Sequence, residues 1–126
     1  MSKTVYTQEH EWLRIEDDGV VTVGITDYAQ DHLGDLVYVQ LPEAGKEMAK
    51  GEEAAVIESV KTAGEILMPA AGVVTEFNAI LADEPDKVNE DPMGAGWFFK
   101  FKATQPDELN GLLDEAGYKS YIDSLG

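Results

Sequence analysis

The sequence predicts a mostly β protein, two packed antiparallel sheets or a flattened barrel, with helix at its C-terminal end. Three observations predict it. Short β-branched runs recur along the chain with Gly and Pro turns between them. An apolar-Pro-x-Ala-Gly turn occurs twice, as Leu41-Pro42-Glu43-Ala44-Gly45 and, 27 residues later, as Met68-Pro69-Ala70-Ala71-Gly72. Beyond Pro106 the apolar spacing changes from strand-like to helical. Two copies of a turn are too few for a solenoid, but they flank one central hairpin.

In chain order, Val5 to Ile15 reads as an opening strand pair. His10-Glu11-Trp12 within it is expected on an edge strand with Trp12 packed inward. Glu16-Asp17-Asp18-Gly19 carries the Asp-Gly hairpin signal, and Val20 to Ile25 returns as a β-branched strand. Thr26 caps a short helix with Asp27 in its first turn, where negative charge is favoured. Tyr28, Ala29, His32 and Leu33 follow at helical spacing, and Gly34 stops the helix. Asp35 to Leu41 alternates as a strand, and Pro42 and Gly45 turn the chain. Lys46 to Lys50 reads as a polar strand, Gly51 as a turn, and Ala54 to Ile57 as the rise into the central hairpin. Gly72 to Phe77 descends as a further strand.

Asn78 to Asp91 is expected to be a long polar connection that leads to Trp97, itself expected in the core. Phe98 to Lys102 closes the sheet. Leu109, Leu112 and Leu113 share a helical stripe behind Pro106, Asp107 and Glu108. Gly111 weakens that helix by roughly 1 kcal/mol relative to Ala. A last helix spans Asp114 to Leu125, with Gly117 as a break and Tyr118, Tyr121, Ile122 and Leu125 facing inward.

A chain of 126 residues suits one domain, residues 1–126. At this size it buries roughly two thirds of its unfolded surface and needs no metal or disulfide to fold. It has no cysteine, which fits a reducing compartment and means that any thiol chemistry must come from a borrowed group. The net charge of −16, from 25 Asp and Glu against 9 Lys and Arg, excludes nucleic acid, since no basic stripe displaces phosphate counterions. It argues equally against an anionic membrane. Solubility alone explains such a charge. The functional reading is steering toward basic faces on partner enzymes. No run approaches the roughly 20 apolar residues of a membrane span, and Met1 to Tyr6 lacks the apolar segment of a signal peptide. The expected location is the bacterial cytoplasm, or the chain is a mature form restarted with Met.

The central stretch is Glu58-Ser59-Val60-Lys61-Thr62-Ala63-Gly64-Glu65, inside a hairpin over residues 54–68. Lys61 falls at the bend and projects into water. A solvated charge is the bland reading of such a lysine. A Schiff-base nucleophile would need a pKa far below the usual value of about 10.4, yet Glu58 and Glu65 favour the ammonium. Covalent acylation is the third reading, because a modifying enzyme needs a protruding, structurally defined target.

Here the residues carry a resemblance. Glu58 to Ile66 resembles the lipoylation segment of glycine cleavage system H proteins. Met-Lys-Met of biotinyl carriers and Asp-Lys-Ala of dehydrogenase lipoyl domains do not match Val60-Lys61-Thr62. Ile25-Thr26-Asp27-Tyr28-Ala29-Gln30-Asp31-His32-Leu33-Gly34-Asp35 resembles a second hallmark of the same family, and Val88-Asn89 with Pro92 and Gly96-Trp97 a third. The resemblance runs from about Tyr6 to Tyr121. It departs after Lys61, where Thr-Ala-Gly-Glu stands for the family's Ala-Ala-Ser-Asp, and Gly64 is expected to loosen the hairpin base.

The resemblance implies a lipoyl/biotinyl-type barrel-sandwich hybrid with lipoate in amide linkage to Lys61. It implies a cleft for the loaded arm lined by Glu11 and His32, and ligase recognition through Glu58, Ser59, Val60 and Glu65. The implied role is a shuttle with no turnover of its own. It would accept an aminomethyl group from glycine at the pyridoxal-phosphate glycine decarboxylase (P protein) and present it to the folate-dependent aminomethyltransferase (T protein). Dihydrolipoyl dehydrogenase (L protein) would restore the disulfide. A lipoate ligase or lipoyl/octanoyl transferase would load the arm, and a carrier of this kind is expected to be a monomer. One rival is a relay protein that donates lipoate to other enzymes. Another is a small hydrolase using Asp17 and Asp18, or Asp83 and Glu84, although no nucleophile or oxyanion motif accompanies them.

Overall fold

The computed structural model describes residues 3–16, 18–104, 106–109 and 111–125. Asp17, named above in a turn and in a carboxylate pair, lies outside them. Among the described residues nine strands form two antiparallel sheets. The larger has the order β1 (Lys3–Tyr6), β2 (Glu11–Ile15), β3 (Val20–Ile25), β9 (Phe99–Ala103), β8 (Gly72–Phe77) and β5 (Glu47–Met48). The smaller has the order β4 (Leu36–Gln40), β6 (Glu53–Ser59) and β7 (Ala63–Leu67). Apolar residues from both sheets fill the space between them. Leu13, Val21, Val23, Phe99, Phe101 and Val74 from one meet Val39, Ile57 and Ile66 from the other.

The register explains which residues turn inward. Val21 lies opposite Phe101 and Val23 opposite Phe99, and all four are fully buried. On the smaller sheet Val39 lies opposite Ile57, again both buried. On β4 a bulge between Leu36 and Tyr38 breaks the alternation and leaves Val37 and Tyr38 both exposed. An extra residue in one strand re-aims its neighbours in this way.

Several expectations need correction. The segment His10-Glu11-Trp12 is not at an edge, because β2 sits between β1 and β3. Trp12 is buried as expected and its indole N–H donates to the Pro92 carbonyl at 2.8 Å. Residues 78–91 are not one open connection. They hold two single-turn helices, α2 (Ile80–Asp83) and α3 (Lys87–Glu90), each burying one residue, Leu81 and Val88. One apolar residue per turn leaves no periodicity to read. Trp97 is only half-buried, with Lys100 Nζ 5.1 Å from its ring, and the neighbouring Phe98 is the fully buried residue. Leu109 to Leu113 is not one helix. A 3₁₀ turn covers Pro106–Leu109, Gly111 has φ +86°, and Leu113 pairs with Tyr6 as an extended residue. That pairing satisfies the Tyr6 backbone, which a helix there would leave open.

The remaining helices form where the sequence places them, although the last runs through Gly117 without the expected break. Thr26 caps α1 (Asp27–Leu33) through its hydroxyl, and Gly34 closes it at φ +80°. The last helix, α4 (Glu115–Leu125), covers Tyr6 and Trp12 with Tyr118, Tyr121 and Ile122. Leu125 is exposed instead of inward-facing. The repeated turn is not structurally equivalent. Gly45 has φ +89° and open space beside it, whereas Gly72 starts β8 against the Lys102 carbonyl, where no Cβ fits.

Candidate functional site

The β6–β7 hairpin pairs Glu58 with Ala63 and closes where the Ser59 N–H donates to the Thr62 carbonyl at 2.7 Å, so Val60 and Lys61 form a two-residue tip. Primed turns, which favour such tips, need positive φ. Val60 is β-branched and resists it, and neither tip residue has it. Ser59 compensates. Its hydroxyl oxygen accepts from the Lys61 N–H at 3.2 Å and the Thr62 N–H at 3.1 Å, and its O–H donates to the Thr62 carbonyl at 3.0 Å. The tip is also fixed sideways, since the Val60 N–H donates to the Asp35 carbonyl at 3.0 Å.

The turn between α1 and β4 is held in its own right. Asn89 donates to Gln30 Oε1 at 3.0 Å and to the Gly34 carbonyl at 2.8 Å, and accepts from the Leu36 N–H at 2.9 Å. The stem of Lys61 crosses Gly34. A Cβ on that glycine would come within 3.3 Å of Lys61 Cε. Lys61 therefore has a fixed backbone, a fixed neighbour and an exposed amine. Exposed Glu58, Glu65 and Asp35 surround it.

Beside the same hairpin lies a cleft of about 330 Å³. Ile57, Gly64, Glu65 and Ile66 form one wall and Tyr28, His32 and Leu33 of α1 the other, with His10, Glu11 and Ile25 completing it. Glu11 and His32, singled out from the sequence, are thus brought together. A Cβ at Gly64 would meet only Ile57, in ordinary contact at 3.7 Å, so this glycine keeps the wall thin. The two strands of the hairpin stay paired through it, with Gly64 opposite Ile57.

Glu11 is 6% exposed. Burial, and next the charge of Glu9, push its carboxyl up to about 8, against the opposing pull of hydrogen bonds from Thr7 and the Leu67 backbone. The cleft floor is accordingly a neutral carboxylic acid at pH 7. His32 stacks on Tyr28 with ring centres 4.1 Å apart, and its Nδ1 lies 3.0 Å from the Tyr28 carbonyl. A carbonyl only accepts, so Nδ1 carries a proton and Nε2 is left as the acceptor nitrogen of the neutral ring.

Sequence reasoning did not single out His10 or Asn89 as site residues. His10 packs against Tyr28 with ring centres 4.5 Å apart and tilted by 38°, and holds φ +68°, the only positive φ outside glycine among the described residues. Burial, and next the His32 charge, keep its imidazole below the usual pKa. Histidine is among the few residue types enriched at positive φ, but nothing local announces that geometry. Among the described residues no group of His, Asp and Glu could hold a metal, and Asp83 and Glu84 are exposed with no partner constellation.

A two-sheet β sandwich that projects one braced lysine from a hairpin, next to an open cleft, has the architecture of a carrier domain. Comparison with known proteins agrees at full length. The family model for the glycine cleavage H-protein matches residues 4–125. A glycine cleavage system H protein of Rhodospirillum rubrum is 49% identical over 125 residues, 99% of both chains. One from Pseudomonas aeruginosa is 54% identical over 121 residues, covering 96% of this chain and 93% of that one. A crystal structure of a glycine cleavage system H protein from Mycobacterium marinum superposes with a TM-score of 0.87 at 38% identity, covering 96% and 97%. The chain belongs to the glycine cleavage H-protein family, the lipoyl carriers of the glycine cleavage system.

Proposed function

We propose that Lys61 is the lipoyl attachment residue and that residues 1–126 act as one carrier domain with no turnover of their own. The observation that carries this is the tip geometry: an exposed lysine on a turn braced by Ser59 and docked on Asp35. It sits in a chain whose match to the family runs from end to end.

The residues present fit the prosthetic group. Gly34 leaves room for the lysine stem, and the adjoining cleft is walled by Ile25, Leu33, Ile57 and Ile66. When bound, lipoate supplies the dithiol–disulfide couple that a chain without cysteine lacks. Lys61 provides the amine for the amide. Ser59 and Gly34 orient it. The aliphatic walls exclude water, Glu11 presents a neutral acid, and His32 an imidazole edge. Exposed Glu58, Val60 and Glu65 are available to a loading enzyme. Ser59 serves it indirectly, its hydroxyl being engaged within the turn.

In this reading the partners are glycine decarboxylase, aminomethyltransferase, dihydrolipoyl dehydrogenase and a lipoate ligase or lipoyl/octanoyl transferase. The net charge of −16 supports docking on basic faces. We place the carrier in the bacterial cytoplasm as a monomer, in keeping with its bacterial relatives and with a role that requires visiting several enzymes. The relay alternative is not favoured, because the full-length relatives carry the glycine cleavage designation. The test is glycine-dependent exchange of labelled bicarbonate into glycine by purified glycine decarboxylase. The lipoylated protein is expected to support it and Lys61→Arg, put through the same loading, is not. Exchange that is equal with both would overturn the reading.

A further inference from the structure

The exposed face next to Lys61 carries more than the acidic residues already described. The β4 bulge presents Val37 and Tyr38 outward together, at 57% and 46% exposure, and Val60 on the tip is 65% exposed. In the register Tyr38 lies opposite Glu58, which lies opposite Ala63, the second row below the tip. Asp35, just before the bulge, is the residue whose carbonyl holds Val60. Val37, Tyr38 and Val60 therefore adjoin the modified lysine, with exposed Asp31, Asp35, Glu58 and Glu65 around them. Lys61 is the only Lys or Arg in residues 27–40 and 53–67. A bulge that turns two consecutive apolar residues to water is a feature of position, not of chance alternation.

We propose that this bulge is the docking platform for the enzyme that acylates Lys61, and that its partner face is an apolar contact rimmed by Lys and Arg. This rests on Lys61 being the lipoyl attachment residue. Distance selects the occupant. The acylating enzyme must bring its acyl carbon to Lys61 Nζ itself. The amide C–N bond forms as the C–O bond of an acyl adenylate breaks, AMP leaves with the electron pair, and the ammonium gives two protons to water. That enzyme has to cover the row beside the lysine. Enzymes that act on the loaded arm meet its far end and need no contact there. Charge selects the rim: acidic residues surround the patch, and opposite charge steers encounter while apolar contact holds the complex.

The test is steady-state lipoylation by a purified lipoate ligase with ATP and lipoate, varying the carrier protein. Val37→Ser/Tyr38→Ser is expected to raise KM for the carrier at least tenfold with kcat little changed. Leu125→Ser, an equally exposed apolar position on α4, is expected to leave both unchanged. Tyr38→Phe, which keeps the ring, is expected to restore most of the loss in a Val37 background. Thermal unfolding of each variant confirms that these surface changes leave the fold intact. Parent-like kinetics of the folded double variant would overturn the proposal. So would normal lipoylation combined with impaired exchange by glycine decarboxylase, which would assign the patch to that enzyme. If the parent itself takes no lipoate from a ligase that loads a control carrier, the attachment reading fails and this one with it.

Discussion

Tyr118 and His10, 108 positions apart, share a hydrogen bond of 2.9 Å between the phenolic oxygen and Nδ1. The same oxygen lies 2.6 Å from Thr26 Oγ1, the cap of α1. The C-terminal helix thus sets a cleft histidine and the start of the helix that carries the other one. Tyr6 stacks beneath Tyr118 at 4.7 Å and completes the support.

Tyr118→Phe keeps the stack and removes the oxygen. Thr26 and His10 each lose a partner in a buried or half-buried setting. The expected cost is roughly 1–2 kcal/mol, read from urea unfolding. The His10 ring signals in NMR are expected to broaden, whereas those of a remote ring such as Phe101 stay sharp.

Glu11 makes stability fall as pH rises. Its folded pKa of about 8 stands above the ordinary 4.5, so the folded state holds a proton that the unfolded state has released between those values. Stability from this group is fully present below about pH 4.5, declines through the interval and is lost above about 8. The loss is on the order of a few kcal/mol. Glu11→Gln is expected to flatten the pH dependence of unfolding across that window and to be more stable than the parent at pH 8.5.

Asn89→Ala removes all three bonds that pin the α1–β4 turn. A loss of roughly 2–3 kcal/mol is expected. More specifically, the Val60 amide, whose acceptor is the Asp35 carbonyl in that turn, is expected to exchange with deuterium faster than amides of β3. Equal acceleration at both places would mean general destabilisation and not release of the tip.

Ser59→Ala leaves the Lys61 and Thr62 N–H groups without their acceptor. Lipoylation of Lys61 is expected to slow several-fold, with little change in melting temperature. Ser59→Thr keeps the hydroxyl and is expected to recover part of the rate.

Much of this architecture was legible because it is written in local chemistry. Asp18-Gly19 marks a turn, Thr26 and Gly34 bracket α1, and Gly45 and Gly51 reverse the chain at positive φ. The place of Lys61 at a hairpin tip was legible because the residues around it combine small, polar and β-forming types in one short run. What stayed hidden depends on long-range partners. Asn89 looks like a loop asparagine until Gly34 and Leu36 arrive beside it. The His10 ring meets Tyr118 from the far end of the chain, and its carbonyl accepts from the Thr26 N–H at 2.9 Å. The helical spacing of Leu109, Leu112 and Leu113 misled because Leu113 answers to Tyr6, not to its neighbours. Likewise α2 and α3 each bury a single side chain, too little to leave a pattern.

The most direct measurement is intact mass spectrometry of the parent and Lys61→Arg after incubation with lipoate, ATP and a lipoate ligase. The expected result is one lipoyl increment on the parent and none on the variant, with both chains folded by circular dichroism. An unmodified parent beside a control carrier that the ligase loads, or an increment that survives in Lys61→Arg, would contradict the assignment of Lys61 as the arm's anchor.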